Sequence, residues 1–554
     1  MLDLRQIQSN VLRGYRYGRA PKFVHYVFVR FDPAQTAQAR AVLAQLLPLV
    51  TCCEAYDNGA AAQGVLNVGL AYPAIAMFGY GGQARALDAS DDEATSAIEA
   101  FKCGMRARAR AYLGDDEDSA PDNWEAPYRG ERMHAVFAMN APTEAALQGI
   151  VAKVEAALKA NPSVRRVHDE AGRHFDGDWA GKEHFGFADG IAQPTVLDAG
   201  DEELPGGGTP RDRKGWSRLR SGEFVLGHAD ELGQVQFQSP FFNNGSFMVF
   251  RKLQQHVGRY RAYVQRVAQG NGVSPELVGA KMVGRWQSGA PLVLAPDRDD
   301  PELGHDPRRN DDFRYADDPR GIRCPLGAHV RRNNPREDPS GPGTVQTRLH
   351  RIIRRSTPYG PRLPLGASED GRERGLLFVA INANIARQFE FVQRNWVNSV
   401  LSSTHLTLPD DRDPLIGAQH GGDRAGKFLI QNADRKRAPM IAWDLPRFVT
   451  TRGGAYFLLP SLDTLYNLAN DVPPPPDQAD CPNVESPNAR PEARPEPGQS
   501  PTGSSPPSEP CEVEDPPDPE EPLPEEAEPT REESELEGDS SDSSEVRAAF
   551  SEDP

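Results

Sequence analysis

The feature that most constrains this chain is a repeat, in which a strand-like run is followed by an amphipathic helical run four times between residues 22 and 397. Lys22–Phe31 (KFVHYVFVRF) alternates β-branched and aromatic residues with the two-residue period of a strand, and Ala34–Leu47 then spaces apolar residues three and four apart. His134–Met139 leads in the same way into Thr143–Ala160, Gly245–Phe250 into Gln254–Ala268, and Gly375–Asn382 into Ile385–Val397. A helix with one apolar stripe and a strand with one apolar face must each bury it against another element. Four such units with intervening strands predict two α+β sandwiches, each an antiparallel sheet with helices on one face. A parallel α/β sheet is the competing architecture, but the Gly-rich strand-to-helix turns that hold phosphates in such sheets are missing.

With 554 residues the chain exceeds one ordinary domain, and its net charge of −18 is unevenly placed. Residues 471–554 carry 25 acidic against 4 basic side chains and 20 of the 50 prolines, which leaves the body near neutral at +3. So much charge and proline with so few apolar residues cannot bury a core, and the segment reads as a disordered acidic tail. It is either an inert linker or a tether that presents Val546–Phe550 to a protein partner. A near-neutral body has no basic field to collect nucleic acid, and no run of 18 apolar residues is available to span a membrane. Six cysteines, Cys52 and Cys53 adjacent, show neither paired CxxC zinc spacing nor a secreted disulfide framework, and Met1–Arg19 lacks an export signal. A cytoplasmic protein is expected.

Three segments of the body carry residue types that do chemistry. HFGFADGIAQP sets one acid, Asp189, in an Asp-Gly turn among Phe185, Phe187, Ile191 and Pro194. Taken alone, Asp189 reads as a turn residue bonding its own backbone; its apolar neighbours argue for a partner or a task. Cys324–Arg336 (CPLGAHVRRNNPR) holds His329 close to Arg331, Arg332 and Arg336. His329 is either a hydrogen-bonded core histidine or the axial ligand of a haem iron, which needs one imidazole where zinc would need three or four protein ligands. The nearby arginines, Arg331 among them, suit haem propionates, and Cys324 reads as a small buried residue. Arg348–Gly360 (RLHRIIRRSTPYG) is a strand carrying several guanidiniums before a Pro-Tyr-Gly turn, each of which taken singly is a surface or propionate group.

Together and in this order, the three segments resemble the dye-decolorizing peroxidase family, whose signature is GxxDG, then a histidine in CPxxAHxRxxNPR, then an Arg five residues before an aromatic-Gly pair. The resemblance runs through Asp3–Gly14 (DLRQIQSNVLRG), Glu223–Gly227 (EFVLG), Gln388–Trp396 (QFEFVQRNW) and Thr451–Ser461 (TRGGAYFLLPS), and does not cover the tail. It implies two ferredoxin-like α+β domains, expected as 1–220 contributing Asp189 and 221–470 binding haem, followed by the tail 471–554. It also implies one haem b per chain, with His329 as iron ligand, Asp189 as distal acid, Arg354 as distal arginine that also touches a propionate, and Ser356 in a distal position held by Ser or Asn in relatives. Leu376 and Phe378 look like the apolar walls above the iron, and Asp413 in DRDPLIG like the carboxylate that binds the far nitrogen of His329.

The activity implied is reduction of hydrogen peroxide through a ferryl intermediate, coupled to oxidation of dyes, phenols or other organic electron donors. Peroxide must lose a proton to bind iron and regain one on its far oxygen, so a distal acid–base group is required. A carboxyl with a reference pKa of about 4 serves at lower pH than a histidine, which predicts an acidic optimum. Arg354 supplies fixed positive charge for the departing oxygen. Donor oxidation at the haem edge and through Tyr359, Trp396 or Trp443 both remain open. Two other readings stand beside this one: an enzyme that processes haem itself, by releasing iron or removing a carboxyl, and a haem carrier or sensor whose acidic tail binds a partner. A homo-oligomer is compatible with each.

Overall fold

The structure is a computed structural model that describes residues 2–473 apart from 15–19, 85–91, 131–132, 212–214, 237–238, 338–345, 400–410, 421–424, 433–435 and 437. Of the tail expected at 471–554, the first three residues are described and 474–554 lie outside the described residues.

The main elements of the first half are β1 (Phe23–Arg30), α1 (Thr36–Leu46), β2 (Val65–Leu70), β3 (Ala135–Ala141), α2 (Glu144–Ala160) and β4 (Arg165–Arg173). Its strands pair antiparallel in the order β4-β1-β3-β2, that of a ferredoxin-like β-α-β-β-α-β unit. The helical spacing read in the sequence becomes the buried stripe of each helix: Ala39, Val42, Leu43 and Leu46 on α1, and Leu147, Ile150, Val151, Val154 and Ala157 on α2. Thr143 caps α2, its side chain accepting from Ala146 N at 3.2 Å. Such a cap is worth about 1 kcal/mol, whereas each fully buried Leu, Ile or Val side chain contributes about 1.5–3 kcal/mol. Packing therefore holds α2 in place, and the cap sets where it starts.

The second half repeats the scheme with β5 (Ser246–Gln255), α3 (Val257–Asn271), β6 (Ile353–Arg354), β7 (Thr357–Tyr359), β8 (Gly375–Asn382) and β9 (Val449–Leu459). The order is β9-β5-β8-β6, with β7 also paired to β8, so β6 and β7 together stand where β2 stands in the first half. The two halves meet edge to edge at Leu70 and Leu458 and form a single nine-stranded sheet. Both antiparallel sheets expected from the repeat are present. They join because β2 is buried along its whole length, and a buried strand edge must find hydrogen-bond partners. Gly69 makes the approach possible, since a Cβ there would stand 3.0 Å from Phe457 Cβ and 2.8 Å from Val136 Cγ1. Aromatic rings bind the halves further, with Tyr26 and Phe28 edge-on to Phe250 at 5.2 and 5.1 Å. The boundary expected at residue 220 falls in the long connection between β4 and β5.

The fourth repeat departs from expectation. Ala386–Glu390 and Val392–Val397 form wide π turns instead of an α-helix, with Glu390 N donating to Ile385 O (2.9 Å) and Asn398 N to Gln393 O (3.2 Å). Polar anchors account for the widening. Arg387 is fixed between Glu223 and Asp230, each at 3.0 Å, and Gln388 Nε2 donates to Glu223 O (2.9 Å) and Arg351 O (2.6 Å), while the next residue, Phe389, faces a cavity. Turns of this kind recur at functional sites. Among the described residues, no helix is long and apolar enough to cross a membrane.

Candidate active site

A cavity of about 260 Å³ lies against β5, β6 and β8, and its walls include His329, Asp189, Arg354, Ser356, Leu376 and Phe378. Six residues singled out in the sequence, spread over 190 positions, thus share one space.

On one side stands α4 (His329–Asn333), whose length of five residues places His329 and Asn333 on the same face. His329 Nδ1 donates to Asp413 Oδ2 at 2.8 Å, and Asn333 Nδ2 donates to the same oxygen at 2.9 Å and to His329 O at 2.8 Å. Asp413 Oδ1 accepts from Leu415 N (2.9 Å) and Ile416 N (3.0 Å). Burial pushes the Asp413 carboxyl up, but His329 and the two amides outweigh it and hold the group below the usual carboxylate range. Burial likewise works to lower the His329 imidazole, and Asp413 overcomes it, so the ring is raised above its ordinary value. With Nδ1 committed, Nε2 is the nitrogen left for a ligand.

On the other side, the loop carrying Asp189 is closed by an antiparallel bridge between Lys182 and Ala188 and by Asp189 N donating to Gly181 O at 2.9 Å. Gly190 N donates to Asp189 Oδ1 (2.6 Å), the self-made bond expected of an Asp-Gly turn. Arg354 of β6 is held at its backbone by Gln193, through Arg354 N to Oε1 and Nε2 to Arg354 O, both 3.1 Å. Its Nη2 donates to Ile191 O (2.7 Å) and lies 3.8 Å from Asp189 Oδ1, beyond a hydrogen bond, and its buried Nε has no partner among the described residues. Ser356 Oγ accepts a long bond from Val379 N (3.4 Å). Leu376 and Phe378 alternate with the buried Leu377 and Val379, which turns the first pair to the cavity.

Arg331 is placed elsewhere. Its guanidinium donates to Cys324 O (2.8 Å) and Asp318 O (3.0 Å) and stacks on Tyr315, so it is not among the lining residues. Arg285, Arg336 and Arg351 line the cavity instead, and Asp311 pairs with the first two. Burial, with the charge of Arg336 beside it, pushes the Arg351 guanidinium down to about 10. Such a corner is short of negative charge.

Several lining residues were not singled out in the sequence. Asn333 stands four residues after His329, a spacing that could have revealed it, whereas Glu183, Phe389 and His350 carry no pattern of their own. Of the aromatic residues named as electron routes, Tyr359 is buried, Trp443 is exposed, and Trp396 meets His350 edge-on at 5.2 Å.

Comparison with known proteins identifies the family. Residues 281–407 match the family described as Dyp-type peroxidase, C-terminal. The chain is 31% identical to dye-decolorizing peroxidase msp1 of Mycetinis scorodonius over 84% of its own length and 87% of that protein. It is 32% identical to a dye-decolorizing peroxidase of Mycena epipterygia, with the same shares covered. The fold superposes on an ancestral D-type dye decolorizing peroxidase with a TM-score of 0.70 and 31% identity, over 84% of this chain and 99% of the other. Identity near one third across nearly the whole body, with the same two-domain architecture, leaves one assignment: the chain is a peroxidase-type oxidoreductase and belongs to the dye-decolorizing peroxidase family.

Proposed function

We propose that the chain is a haem-dependent peroxidase that reduces hydrogen peroxide and oxidises organic donors such as dyes and phenols, with His329 as the proximal ligand and Asp189 and Arg354 as the distal pair. The carrying observation is that an imidazole with one nitrogen pinned by a carboxylate shares a cavity with a half-exposed acid and a guanidinium.

The residues present fit a haem. His329 offers a single free ring nitrogen, apolar side chains such as Leu253, Leu376, Phe378 and Phe389 supply flat walls, and the arginine-rich corner lacks the anions that two propionates would bring. Arg336 and Arg351 are the groups to hold those carboxylates, in place of Arg331. When bound, haem supplies an iron centre that can take up two oxidising equivalents from peroxide and return them to a donor.

The chain's own groups do the rest. His329 Nε2 would hold the iron, and Asp413, by accepting the Nδ1–H hydrogen bond, fixes the ring and raises its basicity. Asp189 Oδ2, the oxygen not used by Gly190 N, takes a proton from incoming peroxide and returns it to the far oxygen. Arg354 presents a fixed positive charge to the negative charge that builds on that oxygen. Leu376 and Phe378 exclude water from the site.

The test mixes the haem-loaded protein with one equivalent of hydrogen peroxide and then with a dye. The haem absorbance band should shift within seconds and return as the dye bleaches. A band that stays unchanged indicates a carrier, and extracted haem of altered mass indicates an enzyme that processes haem.

A further inference from the structure

The loop that carries Asp189 is folded around a second acid. Glu183 lines the cavity, and its carboxyl sits inside the turn. Oε2 accepts from Phe185 N (2.8 Å) and Gln255 Nε2 (2.6 Å), and Oε1 accepts from Phe187 N (3.0 Å). The backbone of the same residue is engaged as well, Glu183 N donating to Phe187 O (3.1 Å) and Gly186 N to Glu183 O (2.9 Å). Gly186, at φ +100°, makes the tight reversal between them. Phe185 and Phe187, which also border the cavity, pack on Tyr260, their rings 4.5 and 6.5 Å from its own. The loop is thus clamped from outside by aromatic packing and from inside by one carboxyl, and Asp189 follows two residues after the last inner contact.

We propose that Glu183 is a positioning residue: the turn 183–189 closes on its carboxyl, and that closure sets where the Asp189 carboxyl stands in the cavity. The inference rests on the reading of Asp189 as the distal acid–base group.

Three donors converging on one side chain need an acceptor that carries no donor of its own, which an ionised carboxylate provides and an amide does not. The arrangement also tolerates protonation. Burial, with the Asp189 charge adding to it, pushes Glu183 up to about 7. The titratable groups facing it are Asp189 on its own loop and the Tyr260 phenol on α3. Among the described residues Gln255 Oε1 is buried and without a partner, so rotation of that amide would offer an acceptor to a protonated Oε2.

The test uses the full haem-loaded chain as wild type, Glu183→Gln, Asp189→Asn and the double variant, with haem content, amide hydrogen exchange of segment 181–190 and the single-turnover rate with peroxide as readouts. Glu183→Gln should keep the wild-type haem ratio, exchange its loop amides severalfold faster and react about 10- to 100-fold more slowly, the scale of a misplaced catalytic group. The double variant should be no slower than Asp189→Asn, because the loss acts through Asp189. Additive losses, or loop exchange at the wild-type rate in Glu183→Gln, overturn the proposal. If Asp189→Asn itself reacts at the wild-type rate, the reading of Asp189 falls, and the exchange data still decide whether Glu183 holds the turn. Should Glu183→Gln fail to fold, Gln255→Leu removes one of the three donors and should raise loop exchange in the same direction with haem content unchanged; unaltered exchange there counts against the proposal.

Discussion

Asp413 and Asp189 are both carboxylates of one site, and their surroundings are opposite. Asp413 is fully buried, and its two oxygens accept from two backbone amides, a ring N–H and an asparagine amide. Asp189 is 39% exposed, accepts one short bond from its own turn and faces a guanidinium at 3.8 Å. A carboxylate saturated with donors is pinned and stays ionised, whereas one with a free oxygen can take and release a proton without disturbing its neighbours. On the proposed function, the His329 side is built to hold and the Asp189 side to exchange.

The largest effect that could break this contrast comes from His329→Ala. Its haem-to-protein absorbance ratio after gel filtration should fall close to zero, and full retention would remove the proximal side altogether. Next in size, Asp189→Asn should keep its haem and lose about 10²–10⁴-fold in peroxide reaction rate, and Arg354→Leu about 10²–10³-fold; stopped-flow absorbance measures both. A distal variant that sheds haem would erase the division of labour. Asp413→Asn should be milder, weakening haem binding about 10- to 100-fold, as read from the rate of haem transfer to a competing acceptor protein.

The smallest effect concerns pH. Glu183 is raised in the folded chain from 4.5 to about 7, so its stabilising share is complete below pH 4.5 and is lost as pH rises through 7. The loss is at most about 3 kcal/mol. Urea unfolding at intervals from pH 5 to pH 8 should show stability falling with pH, and Glu183→Gln should flatten that slope.

Periodicity made most of the sheet readable. Gly375–Asn382 is the strand β8 to the residue, and the stripes of α1 and α2 follow from apolar spacing alone. The π turns at 386–397 escaped, because an apolar spacing of three and four does not reveal that Arg387 and Gln388 will be tied to Glu223. Local motifs brought His329, Asp189 and Arg354 to notice, each beside a turn or strand that limits where it can point. That Arg336 and not Arg331 lines the cavity could not be read in the same way, since their partners Asp311 and Asp318 lie 25 and 13 residues away. Glu183 was hidden for a similar reason, with one of its three donors 72 positions downstream.

The join at Leu70 and Leu458 has a consequence during synthesis. β9 is the last strand of the sheet to leave the ribosome, yet it lies between the first half and β5. Until residues 449–459 emerge, β2 and β5 each present a bare inner edge that can recruit a neighbouring nascent chain. Closing contacts so distant along the polymer is slow. A stop codon upstream of Val449 should therefore give inclusion bodies instead of a smaller soluble protein.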